Sequence, residues 1–339
     1  MRIGVVASLG RTLDAFFPHL VEGMRSRGHE VCAAAGTVAK LDGSAVIEGL
    51  TRRPSPRNFQ APRQLRAWSS SNDLDVVVTN TATASALTRL SGLATPVVYF
   101  CHGLHWSEPR ASNAVFRGAE RLLLRRTAGV ICLNSDDEEW FANADRGLPR
   151  IRLRNGVGVP LREFPYVPTD ENRRVLRILW AGEFASRKRP WLALDVAEQL
   201  LRVGVPVRLT MLGDGPLLER TRGLAARRGL AGHVHLPGRQ PAAQPMTECH
   251  ALVHTASWEG LPRVLLEGIA TGRRSFALDA KGVRDVPHVI VTADTHELAD
   301  RVEGAWRGDG LRLPPPPSDL SPDAAAGALV DFLGHVVGS

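Results

Sequence analysis

Ser257-Trp258-Glu259-Gly260-Leu261-Pro262-Arg263-Val264-Leu265-Leu266-Glu267-Gly268 is the most informative stretch of this 339-residue chain. Two carboxylates bracket a Gly-Leu-Pro turn and an apolar run. Proline suits the first position of a helix, where the amide hydrogen it lacks has no intrahelical use. The pattern therefore predicts a helix starting at Pro262. Glu259 then lies in the loop before it, and Glu267 about 7.5 Å further along the axis. Between them are the amides and positive pole of a helix N-terminus, which suit a phosphate. A ligand offering one polyol to Glu259, a diphosphate to the helix start and a second polyol to Glu267 would satisfy all three. A nucleotide sugar has that shape.

The surrounding sequence alternates strands and helices. Residues 2–8 read as a continuous apolar strand, residues 13–27 as an amphipathic helix closed by Gly28, and residues 30–35 as the next strand. Strands at 74–79, 96–101 and 129–133 follow, with helical runs between them, one of them at 114–126. A polar, proline-containing stretch without periodicity marks a linker at 166–175. The pattern then restarts with strands at 176–181, 207–212, 233–236, 251–255 and 275–279. Helices are expected at 190–203, 217–228, around 245–248, at the glutamate phrase, and after the last strand. The prolines at 314–317 form a stiff connector before a last helix at 322–336. The expectation is an α/β chain of two doubly wound parallel-sheet domains, 1–165 and 176–320, with a final segment 321–339.

Composition bounds the function. Hydrophobic content of 44% and charged content of 23% describe an ordinary globular protein. No run approaches the ~20 apolar residues of a membrane span, and the N-terminus reads as a strand, not a signal peptide. Cys32, Cys101, Cys132 and Cys249 lack paired spacing and read as reduced thiols of a cytoplasmic protein. No zinc-ligand spacing is present and no metal is expected. The net charge of +7 is concentrated in residues 1–165, with 21 Lys/Arg against 15 Asp/Glu. That excess has two open readings: attraction to an anionic acceptor or membrane surface, or arginine-rich composition alone. No nucleic-acid-binding motif accompanies it. Ser8-Leu9-Gly10-Arg11 after the first strand is not a dinucleotide fingerprint, and no P-loop occurs. Gly213-Asp214-Gly215-Pro216 lacks a third glycine and reads as a tight structural turn.

Residues 257–272 resemble the donor-site phrase of retaining GT-B glycosyltransferases of family four, with Gly268 where alanine is usual and Ile269 where methionine is. The resemblance implies two Rossmann-like domains facing a cleft, the first (1–165) binding the acceptor and the second (176–320) the donor. It implies a final helix (321–339) crossing back to the first domain. In this family Glu259 would contact the transferred sugar, Glu267 the ribose, and Gly260, Leu261 and Pro262 the diphosphate. Gly182 and Lys188, in the loop after strand 176–181, match the family's phosphate-binding loop. Glu183 stands where arginine is usual, as in a subset associated with bacterial polysaccharide and lipid-linked sugar assembly, and Arg187 is a candidate for the missing charge. Arg239, after Gly238, falls where the nucleobase is read. His102, in Phe100-Cys101-His102-Gly103-Leu104-His105, matches a histidine near the transferred sugar. Gly10, Arg11 and His105 are acceptor-side candidates. Asn155-Gly156-Val157-Gly158 resembles the phrase ending the first domain, and Gly282-Val283-Arg284-Asp285 one that shapes the donor pocket.

The resemblance therefore implies a retaining glycosyltransferase. It would move a sugar from a nucleotide-sugar donor, a UDP-sugar first, to a hydroxyl of a saccharide, a lipid-linked saccharide or a small molecule. It implies no metal or other cofactor, and a cytoplasmic protein with a peripheral membrane contact left open. A UDP-sugar 2-epimerase and a non-catalytic binding subunit stay open as alternatives.

Overall fold

The computed structural model describes residues 1–338 apart from 54, 105, 107–110, 170–173 and 309 and the side chains of 111 and 112. It divides into two compact units, Met1–Gly158 with Ser321–Ser339, and Val159–Leu320.

The first unit runs β1 (Arg2–Ala7), α1 (Gly10–Phe16), α2 (Pro18–Ser26), β2 (Glu30–Ala35), β3 (Ala45–Val46), α3 (Ala61–Ser71), β4 (Val76–Asn80), α4 (Ala82–Leu90), β5 (Val97–Phe100), α5 (Ala111–Leu124), β6 (Gly129–Cys132), α6 (Ser135–Ala144) and β7 (Arg150–Arg152). Its sheet has the order β3-β2-β1-β4-β5-β6-β7, and every pairing is parallel. The single helix expected at 13–27 is two helices. Pro18 has no amide to continue the ladder, so α1 ends and α2 begins with proline in its first turn.

The second unit runs β8 (Leu176–Ala181), α7 (Pro190–Arg202), β9 (Val207–Leu212), α8 (Leu218–Arg227), β10 (Val234–Gly238), α9 (Ala243–Glu248), β11 (Ala251–His254), α10 (Arg263–Thr271), β12 (Arg274–Leu278), β13 (Val289–Thr292) and α11 (Thr295–Arg307). Its order is β10-β9-β8-β11-β12-β13, again all parallel. One face of the sheet buries Trp180, Leu194, Leu209, Phe276 and Val302. The other buries Leu179, Leu252, Leu265, Leu266 and Ile269. Each such side chain contributes about 1.5–3 kcal/mol relative to exposure.

The units do not divide at residue 165. Val159 and Phe164 join the second unit's core beside Leu265 and Ile269. Gly158 has φ +77°, and a Cβ there would lie 2.5 Å from the Pro322 nitrogen, so glycine fits where the chain leaves the first unit. The last helix, α12 (Pro322–Gly338), packs on α2, with Arg27 donating to Asp323. Within the second unit, the fully buried Arg273 donates to the carbonyls of Val167 (2.6 Å), Met246 (3.1 Å), Thr271 (3.1 Å) and Thr247. Those bonds tie segment 167–169 and the end of α10 to one another.

In each sheet the chain reverses its direction of strand addition once, between β1 and β4 and between β8 and β11. Crevices at the carboxyl ends of such strands are where open α/β sheets bind ligands.

Candidate active site

In the second unit, loops after β8, β11 and β12 meet at the switch point. The first contains a 3₁₀ turn, Ser186–Lys188, and then Arg189 at φ +47°. A left-handed arginine is uncommon, and its surroundings hold it there. Its guanidinium donates to the carbonyls of Thr255 (2.6 Å) and Ala256 (2.7 Å). The Thr255 hydroxyl donates to Lys188 O (2.7 Å) and accepts from Trp180 Nε1 (2.9 Å). The Ser257 amide donates to Arg187 O (2.8 Å). Residues 186–189 are thus stitched to residues 255–257.

The third loop fixes Glu259 from the other side. The Glu259 amide donates to Lys281 O at 3.0 Å. Gly282 (φ +77°) packs so closely that a Cβ would stand 2.6 Å from the carbonyl oxygens of Glu259 and Gly260. The Gly282-Val283-Arg284-Asp285 phrase acts here through its glycine. Arg284 is engaged with Asp279 at 2.6 and 3.1 Å.

The stitching brings the Glu259 carboxylate, 7% exposed, against two cations. Arg187 Nη1 donates to Oε2 at 2.8 Å and Lys188 Nζ to Oε1. Arg187 also donates to Trp258 O (3.3 Å) and lies over the Trp258 ring, 5.1 Å from its centroid. His254 Nε2 is 3.4 Å from Oε1 but off the hydrogen-bond direction. Burial alone would raise the Glu259 carboxyl. The neighbouring His254 imidazole, the Lys188 ammonium and the Arg187 guanidinium outweigh it and hold the carboxyl at about 2. Burial lowers His254 and leaves it neutral at neutral pH, against the partial opposition of Glu259.

Helix α10 begins one residue later than expected. Pro262 is its N-cap, with ψ 99°, and its carbonyl accepts the first bond from the Leu265 amide at 3.0 Å. No side chain caps the helix start, consistent with an open anion position. Glu267 projects from the second turn and pairs with Arg263 Nε at 3.0 Å, one turn earlier. Burial raises the Glu267 carboxyl, against the partial opposition of Arg263. Glu267 pairs with Arg263 and Glu259 with Arg187 and Lys188, and the structure does not join the two carboxylates directly. The pairing of Arg263 with Glu267 was legible as an i,i+4 spacing. His254 and Arg189 carried no local signal.

A cavity of ≈500 Å³ opens beside this cluster, lined by Gly182, Glu183, Gly213, Asp214, Gly215 and Arg239 among others. Gly213 (φ +138°) and Gly215 (φ +145°) press on the first loop, where a Cβ would meet Gly182 O at 1.8 Å or Phe184 O at 2.8 Å. The Gly-Asp-Gly turn is therefore a packing device. Among the described residues lining this cavity, Arg239 is the cation, against the carboxylates of Glu183 and Asp214, so it suits a neutral base and hydroxyl groups better than phosphate. The cations for a phosphate, Arg187 and Lys188, do not line it, although the Lys188 side chain comes within 3.6 Å of a Cβ built at Gly182.

In the first unit, His102 follows β5. Its ring stacks on Phe100 (centroids 4.6 Å, 26°) and tilts against Phe16 of α1 (5.1 Å). Burial takes its imidazole down to about 4. The Asn80 amide meets its Nε2. Gly10 is less available than expected. Its amide donates to Thr37 Oγ1 (2.9 Å), and a Cβ would lie 2.1 Å from Val38 O, so it is held by packing. Arg11 is exposed. His105 lies outside the described residues. No group of three or more His, Cys, Asp or Glu that could hold a metal ion occurs among the described residues.

Residues 13–156 match the description "Glycosyl transferase 4-like domain" and residues 168–295 "Glycosyl transferases group 1". EpsD of Bacillus subtilis, provisionally named a glycosyltransferase, is 25% identical over 332 residues, covering 88% of this chain and 85% of that one. The structure is similar to that of HepE from Anabaena in complex with UDP, with a TM-score of 0.69 and 17% identity over 100% of this chain and 98% of that one. It is also similar to WaaG, a glycosyltransferase involved in lipopolysaccharide biosynthesis, with a TM-score of 0.67 and 16% identity over 99% and 98% of the two chains.

Proposed function

Because this chain belongs to the group 1 glycosyltransferases and has the GT-B fold, we propose that it transfers a sugar, with retention, from a UDP-sugar to a hydroxyl of a saccharide or lipid-linked saccharide. The observation that carries this is the cluster of Arg187, Lys188 and Glu259 beside a cation-poor cavity, at the switch point of the second sheet. The nucleoside enters the cavity at Arg239, and the diphosphate lies toward Lys188 and the uncapped start of α10, near Gly260 and Leu261. Glu259 receives sugar hydroxyls, and Glu267 the ribose. Breaking the sugar–phosphate bond develops negative charge on the leaving diphosphate. Lys188, Arg187 and the helix pole stabilise that charge as it forms. A carboxylate as acidic as Glu259 is a weak base, which suits holding hydroxyls and the sugar's developing positive charge. UDP is chosen because HepE, of the same fold, binds it. The lipid-linked acceptor is chosen because WaaG, of the same fold, is involved in lipopolysaccharide biosynthesis.

A panel of UDP-, GDP- and dTDP-sugars tests this by thermal unfolding. A ligand at 100 times its Kd stabilises by about 2.7 kcal/mol. We expect UDP-sugars to raise the Tm by several degrees and GDP-sugars not to. No shift with any nucleotide sugar would sink the proposal.

A lipid-linked acceptor requires reach to a membrane surface, and α5 offers one. No helix among the described residues is long and apolar enough to cross a membrane. Yet α5 leaves Val115 (73%), Phe116 (49%) and Leu122 (62%) exposed. The exposed Arg121, Arg125 and Arg126 lie beside them. Leu123, Leu124 and Glu120, the last paired with the buried Arg89, face inward. An apolar stripe edged by arginines fits an anionic lipid surface, at about 1 kcal/mol per arginine. Sedimentation with vesicles containing phosphatidylglycerol should show binding that falls more than tenfold in an R121E/R125E variant. Equal binding by that variant would reject α5 as the contact.

A further inference from the structure

The geometry points to Arg189 as a positioning residue for the donor's diphosphate: its guanidinium grips the backbone after β11 and so keeps Lys188 on the Glu259 carboxylate before a nucleotide arrives. The inference deepens the proposed function and rests on it for the identity of the ligand, but not for the placement of Lys188.

Two local preferences oppose the backbone of Arg189. It sits at φ +47° and ψ 54°, where a residue with a Cβ is uncommon. It also precedes Pro190, and the residue before a proline favours extended backbone. Such a conformation persists where the surroundings over-determine it. Here two carbonyls do so. Thr255 and Ala256 are fully buried and follow directly on the last residue of β11. Buried carbonyls need donors. Arg189 Nε donates to the Thr255 oxygen at 2.6 Å and Nη2 to the Ala256 oxygen at 2.7 Å. Every guanidinium nitrogen donates and a carbonyl only accepts, so the direction of both bonds is fixed by chemistry. A planar fork meets two neighbouring oxygens at once, which an ammonium does not.

The grip is reciprocal. The Thr255 hydroxyl accepts from the Trp180 indole, which only donates, and gives its own hydrogen to Lys188 O at 2.7 Å. The Ser257 amide donates to Arg187 O at 2.8 Å. Residues 255 and 257 thus hold the backbone of 187 and 188, while Arg189 holds the backbone of 255 and 256. From this clamped turn Arg187 and Lys188 both reach Glu259. Arg189 directs its own guanidinium to backbone, so its part in donor binding is to place the ammonium beside it. A cation fixed in advance loses little freedom when a diphosphate binds.

The test begins without a nucleotide. The chain has three lysines, Lys40, Lys188 and Lys281, so their acetylation by acetic anhydride is readable one by one in a mass spectrometer. Lys40 is exposed, whereas Lys188 is 14% exposed and bonded to Glu259. We expect Lys188 of the unmodified protein to react more slowly than Lys40, and R189G to raise the ratio of the two rates about tenfold. Glycine accepts left-handed backbone, so R189G relieves the turn while removing the grip. R189K keeps the charge but not the fork. An unchanged ratio in both variants would overturn the inference. Calorimetry with UDP supplies the second readout. Each variant should weaken UDP binding about tenfold. In a K188A background, R189G should weaken it less than about twofold further, because the ammonium it places is gone. An equal loss in both backgrounds would reduce Arg189 to a support of the fold and overturn the inference, as would full UDP affinity in R189K. If the labelling behaves as expected and UDP does not bind the unmodified protein, the proposed function fails and the placement of Lys188 by Arg189 stands.

Discussion

Replacing Glu259 with glutamine lowers sugar transfer by roughly 10²–10³-fold and destabilises the protein by about 2–3 kcal/mol. The glutamine keeps the size of the side chain and an oxygen for sugar hydroxyls, but removes the charge between Arg187 and Lys188. Removing one partner from a buried ion cluster leaves uncompensated charge, typically a loss of 3–5 kcal/mol. The Arg187 side chain is 31% exposed, so solvent recovers part of that loss. Thermal unfolding and initial rates on the same preparation check both numbers. A variant with full stability and full transfer would remove Glu259 from the site.

The same carboxylate sets an acid limit. Its folded pKa of about 2 lies below the ordinary 4.5. A depressed carboxyl contributes stability that is complete above the unfolded value and is lost as pH falls through the folded one. Stability should therefore decline between pH 4.5 and about 2, and this segment of the decline should be shallower in the Glu259→Gln protein. Parallel curves for the two proteins would show that the cations do not hold the carboxylate as described.

Much of this was legible in the sequence, and the rest was hidden for identifiable reasons. The glutamate phrase announced its helix because proline, a carboxylate pair and an apolar stripe are local signals. After their first residue, strands β1 and β2 are continuous apolar runs, and β8 and β9 are apolar apart from Arg177, Arg208 and Thr210, which the sequence displays directly. The ion cluster was not visible, because Arg187 and Glu259 lie 72 residues apart and meet only when β8 and β11 pair. Arg189 gave no warning either: its left-handed backbone is imposed by carbonyls of the other loop. Strand β13 was missed because only four residues form it, at a sheet edge. The unit boundary was misplaced because residues 159–165 carry no periodicity, and their allegiance depends on Val159 and Phe164 finding α10.

Replacing Lys188 with alanine should weaken UDP binding by about 10- to 150-fold in calorimetry, the range for hydrogen bonds to a charged group of 1.5–3 kcal/mol. The Lys188 ammonium is held by Glu259, with its side chain 14% exposed. The carboxylate keeps the cation fixed and partly dehydrated before any donor arrives, so a diphosphate meets a preorganised charge. Losing Lys188 leaves Glu259 with Arg187, so the stability change should be smaller than in Glu259→Gln, while the affinity change should be larger than in Arg187→Ala. Arg187 is more exposed, and the Trp258 ring and carbonyl share its guanidinium. The order of the two cations is therefore the discriminating measurement. Equal losses of UDP affinity in the Lys188 and Arg187 variants would mean that the diphosphate is met by bulk positive charge. A larger loss at Lys188, diminished little by salt, would mean that it is met by one buried, oriented ammonium.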